Sequence, residues 1–179
     1  SFLDKLKQRA ASLKIGDPLD EATEMGPLIS AAQRDAVGSF LDEGASVAIR
    51  GSAPDGPGYW FAPAVLHPVD PASRPATEEI FGPIACVIPF TGEGEAIRMA
   101  NDTIYGLSGS VWTRDGARAL RVARAIEAGN LSINSNSSVR VTTPFGGFKQ
   151  SGYGRELGPH ATDAYTEVKT VYYRTQEDL

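Results

Sequence analysis

The chain carries a single cysteine and two histidines in 179 residues. One thiol cannot close an internal disulfide, and His67 and His160 stand far apart without neighbours at metal-ligand spacing. No metal site is expected. No run of about 18 apolar residues occurs, and no basic-then-apolar leader, so a soluble, reducing, cytoplasmic setting is expected. Positive charge is also short, with 17 Lys and Arg against 22 Asp and Glu and a net charge of −5. A chain without a positive field has little to neutralise phosphates with, so neither nucleic acid nor a membrane is expected as a partner. Repeats, low-complexity tracts and linkers are missing too, which points to one domain or one large piece of one.

What is present is ordinary globular material: 41% hydrophobic and 22% charged residues, at a length able to bury about 70% of the unfolded surface. Phe2, Leu3, Leu6, Ala10 and Leu13 recur at helical spacing up to Gly16-Asp17-Pro18. Ser30 with Gln33 makes a capping box for a second helix with Ala36, Val37, Phe40 and Leu41 inward, running to Gly44. Residues 46–50 read as a short strand, 51–58 as a turn, and 59–69, broken by Pro63 and Pro68, as an irregular or edge strand.

From Ile84 the pattern alternates. Residues 84–90 form an apolar run expected of a strand covered on both faces, 93–103 a helix, 107–113 a strand, and 131–134 another. Between the last two, Asp115 caps a helix with Leu120, Val122, Ala123 and Ile126 inward and Arg118, Arg121 and Arg124 outward. Such alternation predicts an α/β fold, a mostly parallel sheet with flanking helices. Ser135 to Gly158 is rich in Gly, Ser and Thr and too long for a mere connector, as loops that line a site are. Residues 165–174 read as a closing strand.

Two glycine-rich segments fail as cofactor loops. Gly92-Glu93-Gly94 follows a strand and opens a helix, but Ile97 stands where a third glycine belongs, and Glu93 and Glu95 would repel a pyrophosphate. In Gly146-Gly147-Phe148-Lys149-Gln150-Ser151-Gly152 the spacing from glycine to Lys-Ser is wrong for a phosphate loop. Cys86 lies inside Ile84-Ala85-Cys86-Val87-Ile88, where apolar surroundings raise a thiol pKa and keep it inert. The segment Thr77-Glu78-Glu79-Ile80-Phe81-Gly82-Pro83 is different, because it places two carboxylates and a ring at the entrance of a strand. On composition alone it could equally be an acidic turn.

Several blocks, taken together and in order, resemble the C-terminal part of the aldehyde dehydrogenase superfamily. They are Gly16-Asp17-Pro18-Leu19-Asp20, Met25-Gly26-Pro27-Leu28-Ile29, Glu78 to Pro83, Ala100-Asn101-Asp102 with Tyr105-Gly106-Leu107, Pro144-Phe145-Gly146-Gly147 with Lys149 and Ser151-Gly152, Gly154-Arg155-Glu156, and Tyr165 to Lys169. The resemblance implies a catalytic-domain-like part over 1–164 and a terminal oligomerisation strand and tail over 165–179, hence a homo-oligomer. It implies NAD or NADP as cofactor and a small-molecule aldehyde, oxidised to a carboxylic acid, as substrate. Glu79 by match would hold the nicotinamide ribose hydroxyls, and Phe81 would pack near the nicotinamide. The loop from Asn134 to Phe145 matches the wall of the aldehyde tunnel, with Val139, Arg140 and Phe145 at selectivity positions. That loop is polar and holds a guanidinium, which favours aldehydes bearing a carboxylate or another polar group.

In the family the nucleophilic cysteine, the general-base glutamate, the oxyanion asparagine and the dinucleotide domain all match regions upstream of Ser1. No catalytic residue is therefore expected within the chain, which resembles a fragment inactive by itself. Two other readings remain open at this stage: a naturally truncated homologue serving as a structural or assembly module, and an independent thiol enzyme built on Cys86.

Overall fold

A computed structural model describes residues 1–42 and 46–175, and its contacts divide the chain into two units, Ser1–Phe90 and Thr91–Leu179. The first begins with α1 (Phe2–Ser12), where Ser1 and Asp4 exchange side-chain-to-backbone bonds in a capping box. Leu3, Leu6 and Ala10 pack against Ile49, Val65 and Val87. Phe2, expected on that face, is one position off the stripe and 69% exposed. α2 (Ala31–Asp42) buries Val37 and Phe40, while Ala36 is exposed. Its expected stop at Gly44 lies outside the described residues.

β1 (Val47–Arg50), β2 (Ala64–Leu66) and β3 (Ile84–Cys86) form a three-stranded sheet in that order. β1 and β2 are antiparallel, β2 and β3 parallel. The segment expected at an edge is therefore central, and all three residues of β2 are buried. Its prolines stand outside the ladder: Pro63 contributes only its carbonyl, to the Gly51 amide, and Pro68 follows the strand. β3 reverses the opposite expectation. It is short and half-buried with Ala85 exposed, because β2 is its one strand partner among the described residues. α3 (Arg74–Thr77) is a single turn leading into Glu78.

In the second unit, α4 (Glu93–Asn101), β4 (Ser108–Val111), α5 (Gly116–Ala125) and β5 (Asn130–Ile133) follow one another, with β4 and β5 parallel. Two of the three strand pairs among the described residues are thus parallel, in an α/β arrangement. Among the described residues the strands form two sheets, β1–β2–β3 and β4–β5, where the alternation suggested one. Asp115 caps α5 by accepting from the Arg118 amide. The inward stripe is Ala119, Val122, Ala123 and Ile126, and Leu120 sits about 100° round the helix from Ala119 and is 55% exposed.

A 3-10 turn spans Ala161–Tyr165, and residues 166–175 are exposed without strand pairing among the described residues. A strand needs a ladder partner, and none reaches this segment within the described chain. No helix among the described residues is long and apolar enough to cross a membrane.

Candidate functional site

Glu79 and Phe81 lie in the first unit, and Val139, Arg140 and Phe145 in the second. Around Glu79 the two adjacent carboxylates are treated differently. Arg74 stacks its guanidinium 3.9 Å from the centre of the Phe40 ring and donates to Glu78 at 2.9 Å. Glu78 is thereby occupied as an i, i+4 ion pair on the end of α3. Glu79 is exposed, and no hydrogen bond or ion pair engages its carboxylate among the described residues. An unengaged carboxylate can accept from two vicinal hydroxyls, so the residues present fit the ribose of a dinucleotide.

Phe81 follows with φ +51°, in the left-handed region that a bulky side chain avoids at a cost of about 1–3 kcal/mol. Its ring is 75% exposed. The conformation is held from its C-terminal side. The Gln33 side-chain amide donates to the Phe81 carbonyl at 3.0 Å. Gly82 then lies so close to α2 that a Cβ there would stand 2.5 Å from Val37 Cγ2. Beyond it, the Pro83 carbonyl accepts from the Ala64 amide of β2, which ties the segment to the sheet. Backbone strain gathered at a solvent-facing ring is the pattern functional positions show.

In the second unit the loop leaves β5 through Asn134, also left-handed at φ +52°. Its side-chain amide clasps Thr113, donating to the carbonyl and accepting from the amide, both at 2.9 Å. Arg140 folds back on its own loop, donating from one terminal nitrogen to Ser137 Oγ at 2.7 Å and to the Val139 carbonyl at 2.9 Å. Val139 is half-exposed, whereas Phe145 is half-buried and paired by reciprocal backbone bonds with Glu156. A shallow hollow of about 370 Å³ lies nearby, lined by Val141, Arg155, Glu156, Leu157 and Tyr165 among others, and not by Val139, Arg140 or Phe145.

The discounted motifs have structural employment. Glu93, in the first turn of α4, is bridged to Arg118 at 3.1 Å and to Arg121 at 2.6 Å, and the Arg121 hydrogen bond above all holds its carboxyl below the usual range. Two of the three arginines read as a solvated stripe are thus ion-paired across helices. The Gly146 to Gly152 loop turns its amides to the protein, Phe148 N–H donating to the Gly106 carbonyl and Gln150 N–H to that of Ile104. Cys86 is half-buried, its thiol donates to the Pro75 carbonyl at 3.2 Å, and burial pushes its pKa up. A thiol so placed is a poor nucleophile, which disfavours the thiol-enzyme reading. His67 Nδ1 lies 3.1 Å from the Val87 carbonyl and His160 beside Asp163, and no group of three metal-ligating side chains forms among the described residues.

The sequence profile of the aldehyde dehydrogenase family matches residues 1–171. The chain belongs to the aldehyde dehydrogenase family. It is 49% identical over 178 residues to betaine aldehyde dehydrogenase 1 of Rhizobium meliloti, covering 96% of this chain and 37% of that protein. The betaine aldehyde dehydrogenase of Brucella anthropi is 45% identical over 179 residues with the same coverage. The chain therefore spans little more than a third of the length of these aldehyde dehydrogenases. A crystal structure of betaine aldehyde dehydrogenase from Staphylococcus aureus in complex with NAD+ superposes with a TM-score of 0.86 at 41% identity, over 92% of this chain and 34% of that one. That agreement is in fold as well as in sequence. Sequence reasoning named Glu79 and Phe81 but passed over Gln33, which it assigned to a cap, and over the Asn134 clasp, for which a lone Asn at a strand end gives no signal.

Proposed function

We propose that the chain is the C-terminal part of an NAD(P)-dependent aldehyde dehydrogenase that oxidises a small-molecule aldehyde to a carboxylic acid in the cytoplasm. The observation that carries this reading is the Glu79–Phe81 segment: one carboxylate engaged by Arg74, the next left unengaged, and an exposed ring on a strained, pinned backbone. Glu79 binds the ribose hydroxyls and Phe81 bounds the nicotinamide, so the two orient the cofactor. A nicotinamide cofactor supplies the hydride acceptor; this chain's residues only fix where it stands. Residues 1–164 belong to the catalytic domain and 165–179 to an oligomerisation strand, with the exposed Tyr165, Val168, Val171 and Tyr172 paired against another copy. Sedimentation of the complete enzyme as a monomer at high concentration would remove that assignment.

The chain alone is proposed to be inactive, since nothing among the described residues is placed to attack a carbonyl. Aldehyde-dependent formation of reduced cofactor by the purified 179-residue chain would refute this. In the complete enzyme Glu79→Gln keeps cofactor binding but loses turnover, because errors of about 1 Å in a reacting group cost around 100-fold. An unchanged kcat at saturating cofactor sinks the assignment. The truncated-module alternative is separated by the coding frame: no cysteine-containing segment upstream of Ser1 would favour it.

Arg140 bears on the substrate. Its Nε and second terminal nitrogen lie outside the two loop bonds, leaving donors for an anionic or polar group. A second reading comes from the relatives' names and takes betaine aldehyde as substrate, yet a quaternary ammonium favours aromatic faces, and between Asn134 and Phe145 the loop offers only Phe145. Arg140→Ala should raise KM for an acidic aldehyde several-fold more than for a neutral one of equal length. Equal effects, or a preference for betaine aldehyde over both, would overturn the acidic-aldehyde reading.

A further inference from the structure

Gln33 stands at the head of an apolar face. On α2 the positions 33, 37, 40 and 41 share one side, and Val37 and Phe40 are buried there. A polar amide in that row needs a partner. The local sequence offers one, since Ser30 Oγ accepts from the Gln33 amide at 3.1 Å and a capping box would be completed by the Gln33 side chain returning to the Ser30 amide. The structure does not complete the box. The side chain crosses instead to a carbonyl 48 residues away, that of Phe81. A local preference set aside for a distant contact marks a position with a task beyond its own helix.

The contact falls on the one residue of the Glu79–Phe81 segment whose backbone is left-handed. Releasing that peptide would free the ring to swing, and the carboxylate with it, because Glu79 stands only two residues before Phe81. Val37, one helical turn beyond Gln33, closes on Gly82 from the same face of α2. Helix α2 therefore grips the peptide that follows Phe81, by a hydrogen bond to its carbonyl and by close packing against Gly82.

We propose that Gln33 is a positioning residue for the cofactor: its amide holds the Phe81 peptide and so sets where the ring and the Glu79 carboxylate meet the nicotinamide riboside. The inference rests on the reading of Glu79 and Phe81 as cofactor residues. It acts through Phe81, which separates it from a general packing role. The test is a double-mutant cycle in the complete enzyme, with NAD+ titrated by calorimetry into wild type, Gln33→Met, Phe81→Ala and the double variant. Gln33→Met should weaken NAD+ by about 3- to 10-fold, as one hydrogen bond does, and should cost less than that once Phe81 is alanine, because only the Glu79 carboxylate is then left to misplace. Turnover with saturating NAD+ should fall in Gln33→Met as well. Should Gln33→Met fail to fold, Gln33→Glu, with the same shape and no amide donor, takes its place in the cycle.

Unchanged affinity in the Gln33 variant, or losses that simply add in the double variant, overturn the inference while leaving the cofactor reading intact. Unchanged affinity in Phe81→Ala overturns both.

Discussion

The two units of the chain are held together by different means. Among the described residues, the buried core side chains other than Ala119 belong to the first: Ala10, Val37, Phe40, Ile49, Ala64, Val65, Leu66 and Val69. In the second unit the comparable place is taken by amides and one lysine. Asn130, buried between β4 and the Gly146 loop, donates to the carbonyls of Leu107 and Gly146 at 2.9 and 2.8 Å. Asn101, at the end of α4, donates to the Ala125 carbonyl and accepts from the Glu127 amide. Lys149 spans the Asn101 and Thr103 carbonyls and the Glu127 carboxylate. A close-packed core resists any change of volume, whereas a polar network resists the loss of a partner. The difference explains how each unit presents its own candidate residues. The first can hold a strained peptide rigid because α2 backs it with Val37; the second fixes a long loop at points and leaves Arg140 between them.

The comparison can be broken first in the core. Leu66 is wholly buried in the central strand, so Leu66→Ala should cost about 2–5 kcal/mol and accelerate amide exchange through β1, β2 and β3, leaving β4 and β5 little changed. Equal acceleration in both units would mean that the core is shared. Asn130→Ala is the counterpart, expected to cost about 1–3 kcal/mol because it deprives the Gly146 carbonyl of its donor. Its effect should appear in the exchange of β4, β5 and the Gly146 loop, and a loss below the error of the measurement would show that the network is ornamental.

The smallest effect is one of pH. The bond from Arg121 holds the Glu93 carboxyl below its ordinary value of 4.5, so the pair adds stability above that pH and loses it as the carboxylate protonates on acidification. Unfolding midpoints followed from about pH 6 to about pH 3 should therefore fall less steeply in Glu93→Gln than in wild type. Parallel curves would show that the pair contributes nothing in solution.

Local signals were legible wherever they were local. The caps at Ser30 and Asp115, the stripe of α1 and the class of the sheet all follow from spacing that neighbours in sequence enforce. What escaped depends on residues that meet only in space. Pro63 and Pro68 suggested an edge, since sequence cannot tell a proline inside a ladder from one just outside it. Leu120 was placed inward for its size, although small Ala119 holds the stripe. In the candidate site, the identity of Glu79 and Phe81 came from a block of motif residues, but the choice between Glu78 and Glu79 has its physical ground in Arg74, and the strain at Phe81 in Gln33 and Val37.

Lys149, itself left-handed at φ +52°, has one more effect through its neighbours in the Gly146 to Gly152 loop. Together with Ser151, whose hydroxyl accepts from the Gly106 amide, it fastens the middle of the stretch from Ser135 to Gly158 to the turn after α4. The stretch is then two short tethers rather than one long one, and the entropy of each depends only on its own length. Residues could be added or removed between Asn136 and Arg140, short of Val141 whose carbonyl accepts from the Gly158 amide, to reshape the loop without slackening the span beyond Gly152. The fastening separates what the loop can vary from what the fold must keep.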